Sequence, residues 1–214
     1  QVASYARTLR FFAAILSMIF PAVYVAVATW HTSLLPTKLV LSMAEARQGV
    51  PFPALGEILL MEISFELLKE AGIRLPGPMG NTIGIVGGLI IGQAAVDASL
   101  VSPIVVIVVA FTALCSFAIP NEEFASAFRI LKYGCIFMGA WLGLYGVALS
   151  GLWVLIHLSH LNSFGIPYLM PYVAADVNGY EDKKDSLFRF PLKYCVRRPI
   201  FARREERIKL RKRD

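Results

Sequence analysis

With 214 residues, a formal charge of +6, 57% hydrophobic and only 17% charged residues, and a mean hydropathy of +0.61, the chain is too apolar for an ordinary soluble domain. Residues 1–172 are formally neutral, eight bases against eight acids, so the whole excess lies in residues 173–214, thirteen bases against seven acids. A basic segment directly after an apolar body reads as a cytoplasmic anchor to anionic membrane lipids rather than a nucleic-acid arm, and the three cysteines lack the spacing of a disulfide framework.

Residues 11–30 carry no charge, follow Arg7 and Arg10, and end on Trp30 and His31, so they are long enough to cross a bilayer, with a kink expected at Pro21. Ala26-Val27-Ala28 also fits a signal cleavage site, but the apolar run before it is long for one. Residues 31–52 are mixed and contain Pro36 and Pro51, which reads as a connection. The next predicted helix, 54–72, places Glu62, Glu66, Lys69 and Glu70 on one arc of its second half and Leu55 and Leu59 on that face in the first. Such a helix reads as half inserted, re-entrant or interfacial.

Gly80, Gly84, Gly88 and Gly92 recur every fourth residue through an apolar run that closes on Gln93 and Asp97. In water a helix this rich in glycine loses about 1 kcal/mol per glycine relative to alanine. In lipid, by contrast, helices associate through small-residue stripes of this kind, so the stripe reads as a packing face. A phosphate-binding loop is disfavoured, because no Lys-Ser/Thr follows and no strand precedes. Residues 80–98 and 101–119, separated by little more than Ser99-Leu100, predict a tight helical hairpin. After Asn121-Glu122-Glu123, Arg129 and Lys132, residues 133–156 are again uncharged and read as a span, with Gly139 and Gly143 at GxxxG spacing.

The fold class predicted is therefore all-α integral membrane, with about four transmembrane helices, one amphipathic re-entrant or interfacial helix, and a basic cytoplasmic tail. Its domains are a multipass membrane domain, 1–172, and the tail, 173–214. Four crossings put both termini in the cytoplasm and leave Lys69, Arg74, Arg129 and Lys132 outside, against the positive-inside tendency. A full crossing by 54–72 makes five and moves the N-terminus out.

The stretch PFPALGEILLMEISFELLKEAGIRLPGPMG, residues 51–80, followed by GIVGGLIIGQAAVDASLVSPIVVIVVAFTALCSF and by SFGIPYLMPY, closely resembles the membrane half of the GerA family of bacterial spore germination receptors, specifically the A subunit. The resemblance covers nearly the whole chain. It implies a multipass protein of the spore inner membrane that works with a transporter-like B subunit and a lipoprotein C subunit. It also implies assembly into homo-oligomeric rings that form a nutrient-gated monovalent cation channel. The family's soluble domain before the membrane region has no counterpart here, and without an initiating Met the sequence looks like a fragment. Two departures stand out: Val173-Ala174-Ala175 replaces the family's Ala-Pro after IPYLxPY, and SpoVAF-type paralogues share this half without being nutrient receptors.

Glu62, Glu66 and Glu70 repeat at i, i+4 and i+8, so a ring of copies stacks their carboxylates as cation pores do. The plainer reading pairs Glu66 with Lys69 and Glu70 with Arg74 on a solvated face. Glu62 has no base within one turn and sits among apolar residues, which makes it the leading candidate for an ion path. Asp97 reads either as an interfacial hairpin residue or as an ion-attracting mouth, and Gln93 as a hydrogen-bonding contact between helices. His157 and His160 lack a third ligand, and Pro167 and Pro171 suggest a stiff exit to the tail. No catalytic, cofactor or metal motif stands out, so the chain reads as a non-enzyme. The competing function is a non-conducting scaffold or signalling partner of a transporter-like subunit.

Overall fold

The computed structural model describes residues 2–74, 78–163, 166–169 and 172; the basic tail expected over 173–214, and Pro171, lie outside these described residues. The described chain is mostly helical. It runs α1 Val2–Trp30, a 3-10 turn Thr32–Leu34, α2 Thr37–Ala46, α3 Ala54–Arg74, α4 Pro78–Asp97, α5 Pro103–Phe117 and α6 Glu122–His160. A two-residue antiparallel pairing then joins β1 Asn162–Ser163 to β2 Ile166–Pro167. Ala13–Gly151 forms one compact unit, and the described parts of Gln1–Phe12 and Leu152–Asp214 belong to a second. In that second unit the rings of Trp153 and His157 stack at 5.8 Å.

Within Ala13–Gly151, the buried face of α1 alternates in steps of three and four: Ala13, Ala14, Ser17, Met18, Pro21, Ala22, Val25 and Ala26. Most of these side chains are small, and the helix continues through Pro21. The core they enter contains Ile58 and Met61 of α3, Val105 and Val109 of α5, and Ile136 of α6. On α5 the opposite face, Ile107, Phe111, Leu114 and Phe117, is equally apolar and exposed. A helix that is hydrophobic all round belongs in lipid or against a partner rather than in water.

The turn from α4 to α5 is as tight as the spacing predicts. Ser99 takes a positive φ of 55°, and Leu100 N–H reaches back to the Ala95 carbonyl at 2.9 Å, the left-handed close of a helix that glycine usually supplies. Pro103 then opens α5 in the first helical turn, where its missing N–H costs nothing.

Among the described residues, two helical stretches are long and apolar enough by length and composition to cross a membrane, Ser4–Trp30 and Glu123–His160, the second of them broken at Gly143. The fifteen residues of α5 extend about 22 Å at 1.5 Å each, short of a hydrocarbon core of about 30 Å.

The last predicted span, 133–156, needs correction at both ends and in the middle. The helix starts eleven residues earlier, at Glu122, because the Asn121 side chain accepts hydrogen bonds from the backbone N–H groups of Glu123 and Phe124 at 2.9 and 3.1 Å, an N-cap. It also extends to His160, and it is not continuous: Gly143, with φ 64° and ψ −148°, breaks the backbone. Beyond the break the chain doubles back, so that a Cβ on Gly139 would lie 3.1 Å from Val147 and Cys135 faces Ser150. Eight and fifteen residues of straight helix would separate those pairs by about 12 and 22 Å.

Candidate functional site

The acids of α3 do not face solvent as a set. Glu57, in the first turn, is fully buried; its Oε2 accepts the Ser102 backbone N–H at 2.8 Å, and its Oε1 accepts from Arg47 Nε at 3.1 Å. One carboxylate thereby ties α3 to the segment after α2 and to the start of α5. A turn and a half further on, Glu62 Oε2 accepts from Lys132 Nζ of α6 at 2.5 Å. Both residues are buried, 3% and 5% exposed. Next along the helix, Glu66 pairs with Arg129 of α6, which also donates to Ser126 Oγ. Last comes Glu70, whose partner is Arg74 on its own helix at 2.7 Å, with both side chains exposed.

Two sequence expectations change as a result. Glu66 meets a base on α6, Arg129, and the Lys69 ammonium lies over the Phe117 ring at 5.1 Å. Glu62 has no base within a turn of α3, yet Lys132 reaches it from 70 positions away in sequence. The reason is physical: an ionised carboxylate buried alone is too costly, so the fold brings a buried cation to it. The other carboxylate oxygen of Glu62, Oε1, is buried without a hydrogen-bond partner among the described residues. Because 62 meets 132 and 66 meets 129, the two helices run antiparallel along this seam.

The sequence missed Glu57, Arg47, Lys132 and Arg129 as site residues. An acid in the first turn of a helix ordinarily reads as a solvated charge favoured by the helix dipole, so Glu57 carries no local mark of burial. The signal for the α6 pair was available: two bases three apart, facing acids four apart, are complementary rows on antiparallel helices.

Gln93 Nε2 donates to Asp97 Oδ1 at 2.9 Å on the exposed end of α4, within one helix rather than between two. Gly88 is buried, and a Cβ there would lie 3.2 Å from the Phe65 ring of α3; at Gly92 it would lie 3.2 Å from Val106 of α5. The stripe thus faces helices of its own chain at these positions, and Gly80 and Gly84 belong to the same helix with surroundings outside the described residues. Gly139 backs onto the Ala22 carbonyl of α1, and Gly143 onto Trp30 and His31. Replacing Gly88 by Leu should push against Phe65 and cost about 1–3 kcal/mol by overpacking. The midpoint of thermal unfolding in detergent should fall, whereas Gly134→Leu, where a Cβ has nothing within 4 Å, should leave it nearly unchanged.

A model of the Bacillus/Clostridium GerA spore germination protein family matches residues 1–201. Over 200 residues the chain is 44% identical to the spore germination protein GerLA of Bacillus cereus, covering 94% of this chain and 40% of that protein. Identity to the spore germination protein A1 of Bacillus subtilis is 46% over 194 residues, 89% of this chain and 39% of the relative. An uncharacterized membrane protein of Bacillus subtilis, YfkQ, is 43% identical over 196 residues, 90% and 37% of the two chains. The chain therefore spans about two fifths of the length of these curated relatives. No solved structure matches.

Proposed function

Because this chain belongs to the GerA family of spore germination proteins, we propose that it is the membrane-embedded part of a germinant receptor A subunit. In this reading it sits in the spore inner membrane with B and C subunits. Copies assemble into a ring, and the ring passes monovalent cations when nutrient binds. In this proposal α1, α4, α5 and the first arm of α6 make about four crossings, α3 is re-entrant, and the basic tail lies on the cytoplasmic leaflet.

The observation that carries it is the placement of charge. The outward side chains of α5 and α6, among them Ile107, Leu114, Ile130 and Trp141, are large and apolar, while Glu62 and Glu66 meet the bases of α6 along one polar seam inside the unit and Glu57 is buried separately against Arg47 and Ser102. Intramembrane ionisable groups that face a bundle interior mark ion pathways, and in a ring each would be repeated around the axis. A second reading rests on the same pairs. Carboxylates already matched to Lys132 and Arg129 attract little further charge, as suits a non-conducting scaffold or a SpoVAF-type paralogue.

Flux separates the two. The complete receptor, purified and sealed into vesicles, should release potassium on addition of its nutrient, and a scaffold should release none. Asp97→Asn should lower cation preference a few-fold at unchanged protein level, since a charge at an exposed mouth is screened within about 8 Å at physiological salt. Unchanged preference would remove Asp97 from the path.

A further inference from the structure

Three acids on α3 stand one helical turn apart, at 62, 66 and 70, and two bases on α6 occupy the first two of them. The third, Glu70, is held among the described residues by Arg74 of its own helix, with 50% and 78% of the two side chains exposed. We propose that this row is a two-position latch. A slide of the first arm of α6 by one turn toward the C-terminal end of α3 carries Lys132 from Glu62 to Glu66 and Arg129 from Glu66 to Glu70. Glu62 is left without its base, and its carboxylate takes a monovalent cation instead. The inference rests on the channel reading above and adds to it where the gate lies.

Two features make the slide feasible. The rungs are equivalent: moving by four residues of helix, about 6 Å, brings like groups to like groups, a register shift of the kind known from other switching proteins. Glu62 Oε1 is already buried without a hydrogen-bond partner among the described residues, an oxygen poised for a ligand once Lys132 leaves. A bare buried carboxylate is strongly disfavoured, so the slid state requires Glu62 to be neutralised, in this proposal by a bound cation that competes with a proton. Ion occupancy and helix position are thereby linked.

Glu70 and Arg74 supply the test. Glu70→Gln leaves both resting pairs in place and removes the rung to which Arg129 must move; Arg74→Gln breaks the same exposed pair but leaves that rung open. Each is placed in the full-length receptor, and nutrient-triggered potassium release and the germination rate of spores are measured alongside receptor abundance. Glu70→Gln should slow both by about tenfold, within the usual range of allosteric coupling, at normal abundance. Arg74→Gln should match or exceed the wild type, and Glu70→Asp should recover part of the loss. A wild-type rate in Glu70→Gln would overturn the latch, as would equal slowing by Arg74→Gln, which would make the exposed pair itself the requirement. Loss of the receptor in Glu70→Gln would also overturn it, because Glu70 would then belong to the resting fold. A receptor that conducts nothing in vesicles defeats the channel reading separately, and the germination rates still report on the slide.

Discussion

Lys132→Ala should remove most of the protein from the membrane fraction. The ammonium lies 2.5 Å from Glu62 and both residues are buried, so truncating the lysine leaves a carboxylate in the core without its cation. Breaking a buried pair in this way costs about 3–5 kcal/mol, a large share of a folded domain's margin of about 5–15 kcal/mol. Glu62→Gln should be nearly as harmful, because it strands the lysine instead. The informative variant is the double substitution Glu62→Leu with Lys132→Met. Apolar residues of similar volume are often neutral or stabilising in place of a buried pair, so the double variant should return abundance and thermal midpoint close to wild type. If abundance recovers while potassium release does not, the pair serves conduction or gating and not folding alone. Wild-type abundance in Lys132→Ala would show that the pair contributes little in the membrane.

How much of this was legible in the sequence follows from the range of each interaction. Helix positions come from local periodicity, and α3, α4 and α5 lie close to where the apolar runs put them, whereas α1 starts nine residues before the uncharged run, at Val2, and the stretch 31–52 read as a connection holds the helix α2. The α4–α5 hairpin follows from a spacing of a few residues. Pairing across the fold has no such local trace. Glu62 looked like a lone acid because Lys132 is 70 positions away, whereas Glu70 and Arg74, four apart on one helix, meet as the spacing predicts. Gly143 was ambiguous in a different way. A glycine at GxxxG spacing is chosen either for the close approach it permits or for the backbone angles it alone adopts, and the sequence pattern is the same for both.

At Gly143 both reasons apply, and that sets the size of the last expected effect. Its φ of 64° and ψ of −148° lie at the edge of a region populated almost only by glycine, where another residue costs about 1–3 kcal/mol. A Cβ there would also lie 2.6 Å from His31 Cε1 and 3.2 Å from Trp30 Cβ, so the two residues that close α1 must move. Trp30 Nε1 donates to the Ala140 carbonyl at 2.8 Å, three residues before the break, satisfying an acceptor of the kind a helix end leaves open. Displacing the indole forfeits that bond, worth about 1 kcal/mol more. Gly143→Ala should therefore lower the thermal midpoint sharply and deplete the protein from the membrane. Gly134→Ala on the same helix, where the added methyl meets nothing within 4 Å, should hold or raise the midpoint, since alanine favours a helix interior by about 1 kcal/mol over glycine. Equal midpoints for the two variants would mean that α6 runs straight through Gly143 and that the second arm does not fold back. In that case residues 133–156 cross the bilayer as one helix.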